Sequence, residues 1–151
     1  MKNAVAKLPA HPFLVGLKPE QLELLAEVSM PVEFAAGELV FREGDVANRF
    51  YLIERGRVAL ESQKPDHPSV LLQTIGPGEV LGWSWLFPPY YWNFDARAVE
   101  PVKATFFYGT RLRERCEEDP SLGYALMKRV AQVVLQRLQA VRKRVLELES
   151  R

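Results

Sequence analysis

Between residues 32 and 108, short runs of β-branched and aromatic residues are cut by glycine at Gly37, Gly44, Gly56, Gly76, Gly78 and Gly82. Short strands at such close intervals predict a sandwich or barrel. The candidate strands are 32–35, 39–42, 50–54, 57–62, 69–75, 95–100 and 102–108. In them Tyr51/Ile53 and Val58/Leu60 alternate with more polar neighbours, the pattern of half-buried strands. Glu54-Arg55-Gly56-Arg57 reads as a hairpin turn whose positive φ only glycine adopts cheaply. The stretch 63–68, with Pro65 and Pro68, reads as a polar loop.

Helices flank this β-rich segment. Pro19 suits a first helical turn, and Leu22, Leu25 and Val28 recur at helical spacing, predicting a short amphipathic helix over 17–29 that Pro31 ends. Thr110 is placed to cap a short helix over 111–117. Asp119-Pro120 opens a final helix of about 30 residues, roughly 45 Å long. Along it Met127, Ala131, Val134, Leu138, Val141, Val145 and Leu148 follow gaps of alternately four and three residues. That seven-residue period is the seam of a two-stranded coiled coil. A second stripe, Leu122, Leu126, Val130 and Val133, is confined to the N-terminal half. One stripe is expected to pack on the chain's own β-domain and the other on a second copy, giving a parallel homodimer. The competing arrangement folds the helix back on its own domain as a monomer. Lys128, Arg129, Arg137, Arg142, Lys143 and Arg144 read as a solvated face beside the seam.

Composition removes several function classes. The 151 residues make one domain, 1–151, and 20 basic against 19 acidic residues leave a net charge of +1. Dedicated nucleic-acid binders usually carry a clear basic excess. A single cysteine, Cys116, excludes an internal disulfide and a thiolate metal cage, while His11 and His67 are too few and scattered for a histidine metal site. Neither a signal-peptide core in Met1–Pro12 nor an apolar run of membrane-spanning length is present, so a soluble cytoplasmic protein is expected. His11 lies in a terminal proline-rich stretch, His67 in the polar loop and Cys116 in a helix, an arrangement that offers no catalytic constellation. The chain is expected not to be an enzyme, with no cofactor and no metal.

The segments Ala36-Gly37-Glu38-Leu39-Val40-Phe41-Arg42-Glu43-Gly44-Asp45, Phe50–Val58, Leu72–Gly82 and Ala96–Pro101 occur in one order and spacing. Together they resemble the cyclic-nucleotide-binding domain, especially the sensory domain of the Crp/Fnr regulators, over about residues 12–150. The resemblance implies a mainly β fold with flanking helices: a double-stranded β-helix (jelly roll or β-roll) plus a long C-terminal dimerisation helix. Its parts would be the N-terminal helix at 12–31, the β-roll at 32–108 with a ligand cassette at 78–98, and the C-terminal helices at 110–151. In such a pocket an arginine neutralises a cyclic phosphate, a glutamate takes the ribose hydroxyl, and backbone N–H groups cradle the anion.

The family cassette runs Gly-Glu-x-x-Leu, a gap, then Arg-(Ser/Thr)-Ala-x-x-Arg-Ala. Here Gly82 and Leu86 match, but the glutamate position holds Trp83 and the phosphate-arginine position holds Trp92. Asn93 and Phe94 follow where the family has Ser/Thr and alanine, and Phe87-Pro88-Pro89-Tyr90-Tyr91 fills the gap. Ordinary cyclic AMP binding is therefore not expected. Two readings follow. In one, Gly82, Trp83, Ser84, Trp85, Leu86, Trp92, Asn93 and Arg97 line a remodelled pocket for a nucleotide-like, aromatic or apolar small molecule, making the chain a ligand-sensing regulatory module. The helix around Gln136 and Arg137 would then lie over its mouth, as the resemblance implies. In the other, the rings fill the old pocket, and the domain is a ligand-free dimerisation or accessory domain of a larger assembly. Crp/Fnr regulators carry a helix-turn-helix after the long helix; no such segment is seen before Arg151, so neither direct DNA contact nor a membrane partner is expected unless the chain is a regulator fragment.

Overall fold

The computed structural model describes residues 8–150; the remaining residues of the expected domain, 1–7 and 151, and the side chains of Lys64 and His67 lie outside the description. After a one-turn 3-10 helix, Pro12–Leu14, come α1 (Pro19–Glu27) and eight strands. These are β1 (Ser29–Phe34), β2 (Leu39–Phe41), β3 (Arg49–Arg55), β4 (Val58–Lys64), β5 (His67–Ile75), β6 (Val80–Leu81), β7 (Asp95–Ala98) and β8 (Val102–Tyr108). Helices α2 (Gly109–Glu118) and α3 (Pro120–Glu149) follow. The strands form two antiparallel four-stranded sheets, ordered β1-β8-β3-β6 and β2-β7-β4-β5. This is the expected jelly roll with a long C-terminal helix.

Side-chain alternation divides the core in two. Tyr51, Ile53, Ala104 and Phe106 of one sheet meet Val58, Leu60, Ala96 and Ala98 of the other between the sheets. Phe50, Leu52 and Phe107 point the opposite way, into a layer built from Leu25, Leu112, Leu122, Leu126 and Val130 of the helices. β3 is consequently buried on both faces: Phe50, Tyr51, Leu52 and Ile53 are all 3% exposed or less. The sequence pattern of a half-buried strand is corrected there, because the helical layer covers the face expected to meet water.

Other local expectations shift for physical reasons. α1 ends at Glu27, and Pro31 lies inside β1 rather than ending the helix. β1 is a sheet edge, where a residue without an N–H is tolerated. The expected loop over 63–68 shrinks to a tight turn at Pro65-Asp66, with Asp66 at φ 64. Thr110 lies within α2 instead of capping it; the N-cap is Tyr108, whose side chain makes no capping bond to the helix. Asp119 does cap α3, accepting from the N–H groups of Ser121 and Leu122 at 3.1 and 3.3 Å. Gly56 has φ 85, and a Cβ there would sit 2.2 Å from the Pro101 carbonyl oxygen, so both conformation and space demand glycine. The turn is not the expected hairpin, because β3 and β4 lie in different sheets and Gly56 carries the chain from one to the other.

The N-terminal segment is tied down at two points. His11 Nε2 donates to the Ile53 carbonyl at 3.1 Å while Nδ1 accepts from Phe13 N–H at 3.1 Å. Both ring nitrogens are engaged, which fixes the neutral tautomer. From α3, Arg129 donates to the carbonyls of Phe13 and Val15 at 2.8 and 2.5 Å.

Candidate functional site

The cassette begins where β6 ends. Gly82 has φ 86, and a Cβ on it would lie 2.7 Å from both Cη2 and Cζ3 of Trp92. The Trp92 indole thus rests directly on the Gly82 backbone. It also stacks on Phe41, with centroids 3.8 Å apart and planes 9° from parallel. Trp92 is 3% exposed and belongs to the core between the sheets. Its backbone is pinned as well: Trp92 N–H donates to the Asp45 carbonyl and Gly44 N–H to the Trp92 carbonyl, each at 2.9 Å. Ala47 N–H donates to the Tyr90 carbonyl at 2.6 Å, locking the aromatic 87–91 segment along the 44–47 loop.

Apart from Gly82, the other six candidate residues do not gather around Trp92. Trp85 and buried Ser84 lie in a second 3-10 turn, Ser84–Leu86. Trp85 packs on Phe50 at 5.7 Å in the helical layer, with half-buried Leu86 and Trp83 against the same cluster. Trp83 lies beneath the Arg137 guanidinium, 4.7 Å from its ring centroid. Asn93 is exposed. Arg97 projects from the opposite face of β7 to Ala96 and Ala98; it donates to Glu61 at 3.3 Å and to the Gly37 carbonyl at 2.9 Å. That face opens onto a groove of about 430 Å3, where buried Asp95 accepts from Glu43 N–H and Gln63 Nε2 at 2.7 and 3.0 Å. A run of eight candidates therefore falls into three environments. Strand alternation sends Arg97 outward, and the 3-10 turn sends Trp85 to the helical side. Phe41, the stacking partner of Trp92, was not singled out from sequence; its signal was an aromatic on the strand beside the family's Arg-Glu-Gly turn.

Reactive groups are quiet. Burial, with Asp119 and Glu117 nearby, pushes the Cys116 thiol up to about 11, keeping it protonated. Among the described residues no cluster of three or more His, Cys, Asp or Glu is placed to hold a metal ion, and no helix is long and apolar enough to cross a membrane.

Helix α3 separates its two stripes cleanly. Leu122, Leu126 and Val130 are buried and Val133 half-buried against the domain. Met127, Ala131, Val134, Leu138, Val141, Val145 and Leu148 are all exposed. The expectation of a wholly solvated basic face is corrected at two residues: Arg129 holds the N-terminal segment, and Arg137 is buried over Trp83 with its Nη2 donating to the Val80 carbonyl.

A roll of two four-stranded sheets with a glycine-led cassette and a long trailing helix defines a ligand-binding regulatory fold. The family pattern of the cyclic nucleotide-binding domain matches residues 31–119, more than half of the chain. The chain belongs to the cyclic nucleotide-binding domain family. It is 28% identical over 116 residues to a CRP-like cAMP-activated global transcriptional regulator of Mycobacterium tuberculosis, covering 77% of this chain and 52% of that one. It is 39% identical over 97 residues to the acetyltransferase Pat of Mycolicibacterium smegmatis, covering 64% of this chain and 29% of that one. It thus spans about half, or less, of these curated relatives. A Geobacter metallireducens structure described as a cyclic nucleotide-binding protein is 35% identical with TM-score 0.76, covering 85% of this chain and 92% of that one.

Proposed function

We propose that this chain is a non-enzymatic regulatory domain in which Trp92 fills the place of the bound cyclic phosphate, and in which α3 mediates homodimerisation. The packing of Trp92 on Phe41 and against Gly82 carries the reading. Loss of a charged hydrogen bond to the phosphate costs about 1.5–3 kcal/mol, roughly a factor of 10 to 150 in affinity, before the bulk of the indole is counted. A phosphate seated against Gly82 would meet the indole itself. Of the two readings of the aromatic cluster, this geometry favours rings that fill the roll interior over rings that line an open pocket.

Two observations support the rest. The exposed heptad leaves Leu138, Val141, Val145 and Leu148 each more than half exposed, an arrangement that a second copy's helix relieves by about 1.5–3 kcal/mol per large side chain fully buried. The His11 ring is spent on backbone partners and the Cys116 thiol is held protonated, so neither serves as base or nucleophile. A cytoplasmic location fits a regulatory role of this kind. Calorimetric titration with cyclic AMP and cyclic GMP, beside sedimentation velocity, tests the reading. Absence of saturable heat and a dimer at micromolar concentration are expected; micromolar cyclic-nucleotide binding or a monomer would overturn the corresponding half.

A further inference from the structure

Outside the roll, a cleft of about 680 Å3 lies between α3 and the Gly78–Val80 edge. Small-molecule sites commonly span about 300–1,000 Å3. Val15 and Val133 supply apolar wall, Gln132 and Gln136 supply amides, Lys128 and Arg137 supply positive charge, and Glu79 adds a carboxylate at the edge. None of the eight cassette residues lines it.

Arg137 is the unusual member. It is only 9% exposed, yet the ion pairs among the described residues are Arg97–Glu61, Arg115–Glu27 and Arg115–Glu118, none of which includes it. Its Nη2 is used by the Val80 carbonyl and its plane by Trp83, while Nη1 is buried without a partner. Glu79, the nearby carboxylate that favours its charge, accepts from Gly76 N–H at 2.6 Å instead. Burial pulls the guanidinium pKa down to about 10, against the pull of Glu79, and it still stays charged at neutral pH. A buried cation whose nearest carboxylate makes no direct ion pair with it is costly, and an anion arriving beside it is correspondingly favoured. Arg129 adds to the positive field although its own donors are committed to Phe13, Val15 and Ala125.

We propose that this cleft binds an organic anion of nucleotide size or smaller, its carboxylate or phosphate on Arg137 and its apolar body against Val15 and Val133. The site is separate from the roll interior, so it stands whether or not Trp92 blocks cyclic nucleotides. Because Arg137 adjoins Leu138 of the exposed seam, an anion held there braces α3 against the roll edge.

The test is a side-chain NMR titration of the isotope-labelled full chain with indole-3-acetate, with adenosine monophosphate, and with neutral indole-3-acetamide. A saturable response to either acid is expected at the Gln132 and Gln136 amides and at the Arg137 Nε–H, with the Trp92 indole N–H unmoved. Whether the carboxylate or the phosphate probe responds tells which head group the cleft takes. The exposed substitution Gln136→Glu should weaken binding by about tenfold or more by placing a like charge beside the anion. Arg137→Gln should abolish it, with circular dichroism checking the fold; Gln136→Glu keeps the test decisive where Arg137→Gln fails to fold. No saturable response to either acid by about 10 mM, beyond the millimolar range of weak specific sites, overturns the proposal. So does equal binding of indole-3-acetamide, or a response centred on Trp92. Cyclic AMP moving Trp92 alone would sink the closed-cassette reading and leave this one intact.

Discussion

Removing the Trp92 ring should expose how much of the domain rests on it. The indole is 3% exposed, stacks on Phe41 at 3.8 Å and covers Gly82. A buried tryptophan cut to alanine typically costs about 3–5 kcal/mol, the transfer energy plus the cavity left behind. At about 2–4 °C per kcal/mol for a chain of this size, Trp92→Ala should lower Tm by roughly 6–20 °C. Gly82→Ala should be costly for two reasons: about 1–2 kcal/mol for an L residue at φ 86, and a further clash with the indole at 2.7 Å. Only the clash depends on Trp92. The double variant should therefore be less destabilised than the sum of the singles by about 1 kcal/mol or more. Urea unfolding at fixed protein concentration, followed by circular dichroism, measures all four corners of the cycle. Trp92→Phe provides a milder corner if the alanine variant does not fold. A Trp92→Ala loss below about 1 kcal/mol, or additivity within about 0.5 kcal/mol, would refute the claim that this ring packs against the glycine of the cassette.

Three further outcomes follow from other parts of the molecule. Leu138→Asp on the exposed seam should shift the sedimenting species from dimer to monomer while leaving far-ultraviolet dichroism close to wild type; an unchanged dimer would place the interface elsewhere. Burial holds His11 below its ordinary 6.5, so the unfolded chain takes up a proton before the folded one does. Its contribution is complete above pH 6.5 and is lost as pH falls from there toward the folded-state pKa, at up to about 1.4 kcal/mol per pH unit; His11→Gln should flatten that part of a stability–pH profile. Asp119→Ala should cost about 1 kcal/mol in urea unfolding, because two N–H groups at the start of α3 lose their cap.

The fold was legible where local chemistry and tertiary context agreed. Asp119-Pro120 starts α3 as its residue types demand, Gly56 takes the positive φ expected of it although it links two sheets rather than closing a hairpin, and the two stripes of α3 part into a buried and an exposed set. Strand burial was less legible. Phe50 and Leu52 face a layer that joins Leu25 of α1, upstream in the chain, to Leu112, Leu122, Leu126 and Val130 far downstream, which no local alternation in β3 encodes. Pro31 looked like a helix stop because an interior strand would exclude it; the edge position of β1 is a property of the sheet, not of the residue. In the candidate site, the substitutions at Trp83 and Trp92 were visible once the chain was matched to the family cassette it resembles. Their different fates were not. One extra turn after Gly82 directs Trp83 and Trp85 to the helical side, while Trp92 returns across Gly82 to meet Phe41. Arg137 was misread as a solvated charge because helical periodicity reports which face a residue occupies, but not that the β6 edge rises to meet that face.

The most direct test of the filled cassette is fluorine NMR of the chain labelled with fluorotryptophan, each of the three resonances assigned by a single Trp→Phe substitution. The account predicts that the Trp92 resonance shows no solvent isotope shift and does not move when cyclic AMP is added to about 1 mM, a concentration that would reveal even weak specific binding. A Trp92 resonance that senses water, or that shifts saturably with cyclic AMP, would contradict it.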